Sequence, residues 1–255
     1  MLRARVIPCL LIHNKGLVKT VKFSDAKYVG DPINAVKIFN EKEVDELVVL
    51  DIDATVNSRE PDYSQIEKLA AECRMPLCYG GGIRSVEQAR KIIELGVEKV
   101  ALSNAAINDP QLVSAIANVI GRQSVVGVLD VKKSMFGGYS VYTHNGQRKV
   151  KADLVDLLAR LEKSGLGEIL INSIDNDGMM KGYDLKLAEK VREAVSVPIT
   201  ILGGAGSKQD VFDLINHFKV IGASAGSLFV FKGVYKAVLI NYLSPEERRK
   251  VSADF

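Results

Sequence analysis

Eight short apolar runs, each followed by a longer helical pattern, predict a parallel (β/α)8 barrel. Two further observations support that fold. The chain has 255 residues, and such barrels close at roughly 250. Its two halves also repeat one another, so residues 1–255 are read as one barrel domain built from two similar half-barrels.

The strands are expected at Arg5–Leu11, Glu46–Asp51, Pro76–Tyr79, Lys99–Leu102, Ser124–Asp130, Glu168–Asn172, Pro198–Leu202 and Val220–Ser224. Runs such as Leu47-Val48-Val49-Leu50 suit strands covered on both faces. Asp31-Pro32 opens a helix, with Asp as N-cap and Pro in the first turn. Ser85-Val86-Glu87-Gln88 reads as a capping box, and Asp109-Pro110-Gln111 opens a third helix. Further helices fit Ser64–Cys73, Ala152–Ser164, Asp184–Ala194, Lys208–His217 and Gly233–Tyr242. Two long loops remain. Residues 12–30 follow the first strand, and residues 131–150 read as a hairpin with turns at Gly137-Gly138 and Asn145-Gly146. Both belong to the C-terminal face, where such barrels keep their active sites.

Composition excludes several classes. The 34 Lys+Arg against 31 Asp+Glu leave a net charge of +3, too balanced for a charge-driven nucleic-acid binder. At 47% hydrophobic residues, disorder is excluded. Cys9, Cys73 and Cys78 are too few and odd in number for a disulfide scaffold, and no spacing joins them to His13, His144 or His217 as metal ligands. No metal and no cofactor is expected. The stretch Met1-Leu2-Arg3-Ala4-Arg5-Val6-Ile7-Pro8 lacks the apolar core of a signal peptide. No apolar run approaches the roughly 20 residues of a membrane span, so a cytoplasmic protein is expected.

The repeat has a chemical consequence. Pro76–Ser85 parallels Pro198–Ser207, Asp51-Ile52-Asp53 parallels Ser173-Ile174-Asp175, and Ser103-Asn104-Ala105 parallels Ala225-Gly226-Ser227. A glycine-rich turn leaving a strand lets backbone N–H groups approach an anion. Gly81 and Gly82 with Ser103 and Asn104 make one phosphate cradle. Gly203 and Gly204 with Gly226 and Ser227 make a second. Two cradles across one mouth fit a long ligand with two anionic ends. The plainer reading is that these glycines only permit tight turns, and duplication of the pattern favours the cradles.

Ile7-Pro8-Cys9-Leu10, Gly30-Asp31-Pro32, Leu50-Asp51-Ile52, Gly80-Gly81-Gly82-Ile83, Asp177-Gly178, Gly182-Tyr183-Asp184 and Gly203-Gly204-Ala205-Gly206 resemble the cyclase subunit of imidazole glycerol phosphate synthase, over nearly the whole chain. The resemblance implies a glutaminase partner at the N-terminal barrel face. Ammonia from that partner crosses the barrel to a bis-phosphorylated histidine-pathway intermediate. It also implies two catalytic aspartates, ending strands one and five, as general acid and base. Asp130 holds the fifth-strand position, but Leu11 stands at the first, and leucine carries no proton. Ser103 stands where the family has Asn, and Met179 where it has Thr. Arg5, Glu46, Lys99 and Glu168 match the family's charged gate for ammonia, although ordinary surface ion pairs are the plainer reading of such a set.

Gate and cradles without one catalytic carboxylate resemble the cyclase-like paralogues found with surface-polysaccharide genes. That resemblance implies ammonia delivery to a separate sugar amidotransferase that makes an acetamidino sugar. The alternatives are a working histidine-pathway cyclase and a non-catalytic scaffold. Lys19 is expected to close over a phosphate from a mobile first loop. Asp51 is expected to orient substrate or to hold backbone groups. Asp175 and Asp177 face the mouth or cap a turn, His13 donates a proton near the site or is a solvated loop residue, and Cys9 belongs to the core.

Overall fold

The computed structural model describes residues 3–134 and 137–253. Met1 and Leu2, from the N-terminal stretch read above, lie outside them. Eight parallel strands close the barrel: β1 (Arg5–His13), β2 (Leu47–Asp51), β3 (Leu77–Gly80), β4 (Lys99–Leu102), β5 (Val125–Lys133), β6 (Glu168–Ser173), β7 (Ile199–Leu202) and β8 (Gly222–Ala225). Each pairs with the next in the chain, and β8 returns to β1 through Arg5↔Gly222 and Ile7↔Ser224.

Strand residues alternate between two cores, as a period of two requires. On β1, Val6, Leu10 and Ile12 join the large core under the helices. Ile7, Cys9 and Leu11 join a smaller cluster inside the barrel, with Val48, Ala101, Val128 and Leu170. Helices cover the outside at Pro32–Glu41, Tyr63–Glu72, Val86–Glu94, Pro110–Ile120, Leu154–Lys163, Leu185–Ala194 and Lys208–Phe218. Their N-caps Asp31, Asp62, Ser85, Asp109, Asp153, Asp184 and Ser207 each accept from a first-turn N–H, a bond worth about 0.5–2 kcal/mol apiece.

Three expectations need correction. At Ser85 only half of a capping box forms. Ser85 accepts from Gln88 N at 3.2 Å, but the Gln88 side chain turns to Arg84 N at 2.7 Å. The reciprocal box occurs at Ser207 and Asp210, whose shorter carboxylate stays within reach of the cap N–H.

Residues 233–242 are not helical. Phe231–Lys232 and Ala237–Val238 pair as an antiparallel hairpin, turning where Gly233 and Lys236 take φ of +73° and +48°. An apolar helical face there has nothing to pack on, and Val234 and Tyr235 are 94% and 97% exposed. The last helix is Pro245–Ala253, reached after Tyr242 donates to Val6 O at 2.6 Å beneath the barrel.

Residues 12–30 are a hairpin rather than an open loop. Gly16–Val21 pairs with the end of β1 and with Ser24–Gly30. In the 131–150 segment the expected strand pairing forms, with Tyr139–Thr143 antiparallel to the end of β5, while Met135 and Phe136 lie outside the described residues.

Candidate functional site

The two hairpins rise from β1 and β5 on opposite sides of the C-terminal mouth. Each is tied to a loop across it. Lys22 N donates to Asp177 O at 3.0 Å, and Asn145 Nδ2 donates to Ile52 O at 2.9 Å. Between them opens a cavity of about 1320 Å³, continuous with solvent. It is lined by all the expected cradle residues and by Leu11, Lys19, Asp51, Asp130 and Asp177.

Asp130 sits on the floor of the cavity. Burial pushes its carboxyl up to about 7, aided by Asp177 and opposed by a hydrogen bond from Asn172 Nδ2 at 3.3 Å. A group poised near neutrality can both accept and donate a proton at physiological pH. Asn172, 6% exposed on β6, was not among the residues expected here. Its Oδ1 has no hydrogen-bond partner, leaving a buried acceptor open to a donor. Leu11 shares the same mouth. It lies beside Leu50 in the β1–β2 register and packs on the inner cluster, so this position presents apolar surface to the mouth.

The duplicated turns are built alike. Gly81, at φ +127°, leaves no room for a side chain, since a Cβ there falls 2.5 Å from Asp51 O. Gly203, at φ +97°, meets Ser173 O at 2.7 Å in the same way. Asp51 and Ser173 are the paired positions of the two halves, so each half-barrel presses its glycine onto the end of the preceding inner strand. The short helices Asn104–Asn108 and Ser227–Val230 face this mouth, and neither has a side-chain cap bond.

Lys19 reaches Gly226 at the end of β8, although not from an open loop. It is 5% exposed on Gly16–Val21, and its Nζ donates to Cys9 O at 2.5 Å. A Cβ on Gly226 would fall 2.6 Å from that nitrogen. Burial lowers the pKa of the amine, and Asp177 opposes the shift. Asp177 Oδ2 accepts from Thr20 Oγ1 at 2.7 Å and Phe23 N at 3.2 Å, so this carboxylate fastens the hairpin. Asp51 Oδ1 accepts from Asp53 N and Ala54 N at 2.8 and 3.1 Å, holding the loop after β2. Asp175 accepts from Lys133 N at 2.7 Å. His13, at the end of β1, meets Asp53 through Nδ1 at 2.6 Å, and is therefore not merely solvated.

At the opposite end, Arg5, Glu46, Lys99 and Glu168 close one ring across the N-terminal mouth. Lys99 Nζ bridges Glu46 at 2.9 and 3.0 Å and Glu168 at 2.9 Å. Arg5 bridges Glu168 at 2.7 and 3.3 Å and also pairs with Glu46. Thr200, 1% exposed on β7, adds a donor to Glu168 at 2.5 Å. Burial disfavours these charges, yet the two cations hold Glu168 below its ordinary range, and both carboxylates raise Lys99 and Arg5. Glu46 and Glu168 are 3% and 6% exposed, so this ring differs from an ordinary surface ion pair.

The described residues hold no cluster of three or more His, Cys, Asp and Glu side chains able to bind a metal. The three cysteines are free, with Cys9 and Cys78 buried. No helix among the described residues is long and apolar enough to cross a membrane.

The molecule is thus a duplicated (β/α)8 barrel, with a polar mouth at one end and a closed ionic ring at the other. The chain belongs to the family described as histidine biosynthesis protein, which matches residues 5–236. It is 57% identical over 251 residues to a Vibrio vulnificus protein provisionally named imidazole glycerol phosphate synthase subunit hisF3, covering 98% of this chain and 96% of that one. A Pseudomonas aeruginosa protein, provisionally named subunit hisF2 of the same synthase, is 54% identical over 242 residues, or 95% of this chain and 96% of its own. Imidazole glycerol phosphate synthase subunit HisF of Lactococcus lactis is 41% identical over 230 residues, covering 90% and 89%.

Proposed function

We propose that this chain is the ammonia-using barrel subunit of a two-part glutamine amidotransferase in the cytoplasm. A glutaminase subunit docks at the N-terminal face, over the ring of Arg5, Glu46, Lys99 and Glu168, and ammonia passes through the barrel to the mouth. One juxtaposition supports this reading: a paired ionic ring stands at one end of an apolar interior, and Asp130 at the other. Ammonia crosses such an interior as the neutral molecule, because an ion there carries a large desolvation cost. The two glycine turns hold a phosphorylated ligand between them.

Leu11 directs the rest of the proposal. With Asp130 as the sole carboxyl of the expected pair, histidine-pathway cyclisation is impaired by roughly 10²–10⁴-fold, the worth of one general acid–base group. Ammonia then serves another acceptor, a nucleotide-linked N-acetyl sugar held by a separate sugar amidotransferase and converted to the acetamidino form. The second reading, a working cyclase of histidine biosynthesis, is favoured by the relatives' names, all of which refer to imidazole glycerol phosphate synthase and none to a sugar.

The test is reconstitution with a glutaminase subunit and amide-labelled glutamine. Adding this chain is expected to raise glutamine hydrolysis at least tenfold. Exchange of Glu46 and Glu168 for Gln should weaken that stimulation. A non-catalytic scaffold leaves glutamine turnover unchanged, and that result sinks the proposal.

A further inference from the structure

Beside the first glycine turn lies a recess of about 460 Å³, open to solvent and adjoining the main mouth. Thr55, Ile83, Asn104, Ala105 and His144 line both spaces, so the two adjoin. Arg84 and Ser58 line the recess alone. No carboxylate is among the residues that line it.

Its donors are held in place but only partly used. Arg84 is fixed at its backbone N–H by Gln88 Oε1 at 2.7 Å, and one guanidinium nitrogen rests on Ser58 O at 3.3 Å. The other guanidinium donors remain for a ligand. His144 Nδ1 lies 3.0 Å from Thr143 Oγ1, which leaves Nε2. Asn108 Nδ2 donates to Asn104 Oδ1 at 2.9 Å, which leaves the Asn104 NH2 as a donor. Gly82 N, the amide offered to the first cradle, is covered only by Thr55 Oγ1 at 3.4 Å. Thr55, which covers that amide, lines the recess together with Arg84 and His144.

We propose that this recess takes the second phosphoryl group of a diphosphate ester whose first phosphoryl group occupies the Gly81-Gly82 turn. The inference rests on the reading of that turn as a phosphate cradle. Two adjoining spaces that share five of their lining residues suit two phosphoryl groups joined by one oxygen. A monophosphate terminus fills the turn and leaves Arg84 without an anion. Guanidinium geometry favours phosphoryl oxygens, and the absence of carboxylates removes the repulsion that would oppose them.

Calorimetric titration of the full chain with inorganic phosphate, pyrophosphate and a nucleoside diphosphate tests this. Backbone amide spectra should accompany it to report which site fills. Pyrophosphate is expected to bind at least tenfold tighter than phosphate and to shift the Ser58 and Arg84 amides as well as that of Gly82. Arg84→Ala, at an exposed position, should abolish that gain while changing phosphate affinity by less than about twofold. Arg84→Lys should keep part of it. A nucleoside diphosphate that binds tighter still identifies an ester as the ligand. Equal affinity for phosphate and pyrophosphate, with phosphate bound at Gly82, overturns the recess and leaves the cradle standing. No binding of any of the three overturns both.

Discussion

The two ends of the barrel use the same inward-facing register for opposite ends. At the N-terminal mouth every charge has a partner: two cations interleave with two carboxylates, and Thr200 takes a further lone pair of Glu168. At the C-terminal mouth inward-facing groups are left incomplete. Asp130 titrates near neutrality, Asn172 holds an open acceptor, and Leu11 and Leu50 present apolar surface. Strand β6 carries both conditions, with Glu168 satisfied at its start and Asn172 unsatisfied at its end. Fully paired groups favour a fixed structure, whereas unpaired groups beside a cavity are available to a ligand.

This contrast predicts that changes at the ring act on stability, while changes at the mouth act on titration and chemistry. The largest loss of stability is expected for Glu168→Leu, which strands Arg5 and Lys99 without one of their two carboxylates. Removing one partner of a buried ionic set costs about 3–5 kcal/mol, readable as a shift of the denaturant midpoint. The sign with pH follows from the direction of its pKa. Glu168 is held below 4.5 in the fold, so its stabilisation is present above the unfolded value and is lost as pH falls through the folded one. The wild type should therefore lose stability on acidification below about 4.5, and the variant should lack that part of the slope.

Asp130→Asn should do the reverse. Its folded pKa is raised from 3.8 to about 7, so stability present below 3.8 is lost as pH rises through about 7. The variant is expected to be more stable than wild type at pH 8 and similar at pH 4. The ceiling of the gain is about 4 kcal/mol, at about 1.36 kcal/mol for each pKa unit, and solvent reaching the cavity lowers it. Equal denaturant midpoints for the two proteins at pH 8 would break the contrast between the barrel ends. A smaller effect is expected at Tyr242→Phe, which loses the 2.6 Å bond to Val6 O and should cost about 0.5–1.5 kcal/mol.

Much of this architecture is local enough to read in the chain. Asp31-Pro32 and Asp109-Pro110 cap helices where their chemistry places them, because a cap depends on three or four consecutive residues. Gly81 and Gly203 were legible because duplication shows the same turn twice. Gly233–Tyr242 misled because its apolar spacing fits a helix, while Gly233 and Lys236 bend the chain into a hairpin instead. Asn172 and Thr200 were missed for another reason. Each ends or interrupts an apolar run, and only barrel closure decides which strand face looks inward. One signal was available: once Glu168 is placed facing inward, a period of two carries Leu170 and Asn172 to the same side. Lys19 was found, but its burial was not, because the Gly16–Val21 and Ser24–Gly30 strands read as a loop.

We propose that the mouth keeps its ligand site but lacks one proton carrier at position 11. This is tested most directly by cyclase turnover with the bis-phosphorylated intermediate and saturating ammonium salt, comparing wild type with Leu11→Asp. Free ammonia removes any need for a glutaminase. Little or no turnover by the wild type is expected, with a gain of roughly 10²-fold or more in Leu11→Asp. Robust wild-type turnover, unchanged by the substitution, would contradict it and establish that Asp130 suffices.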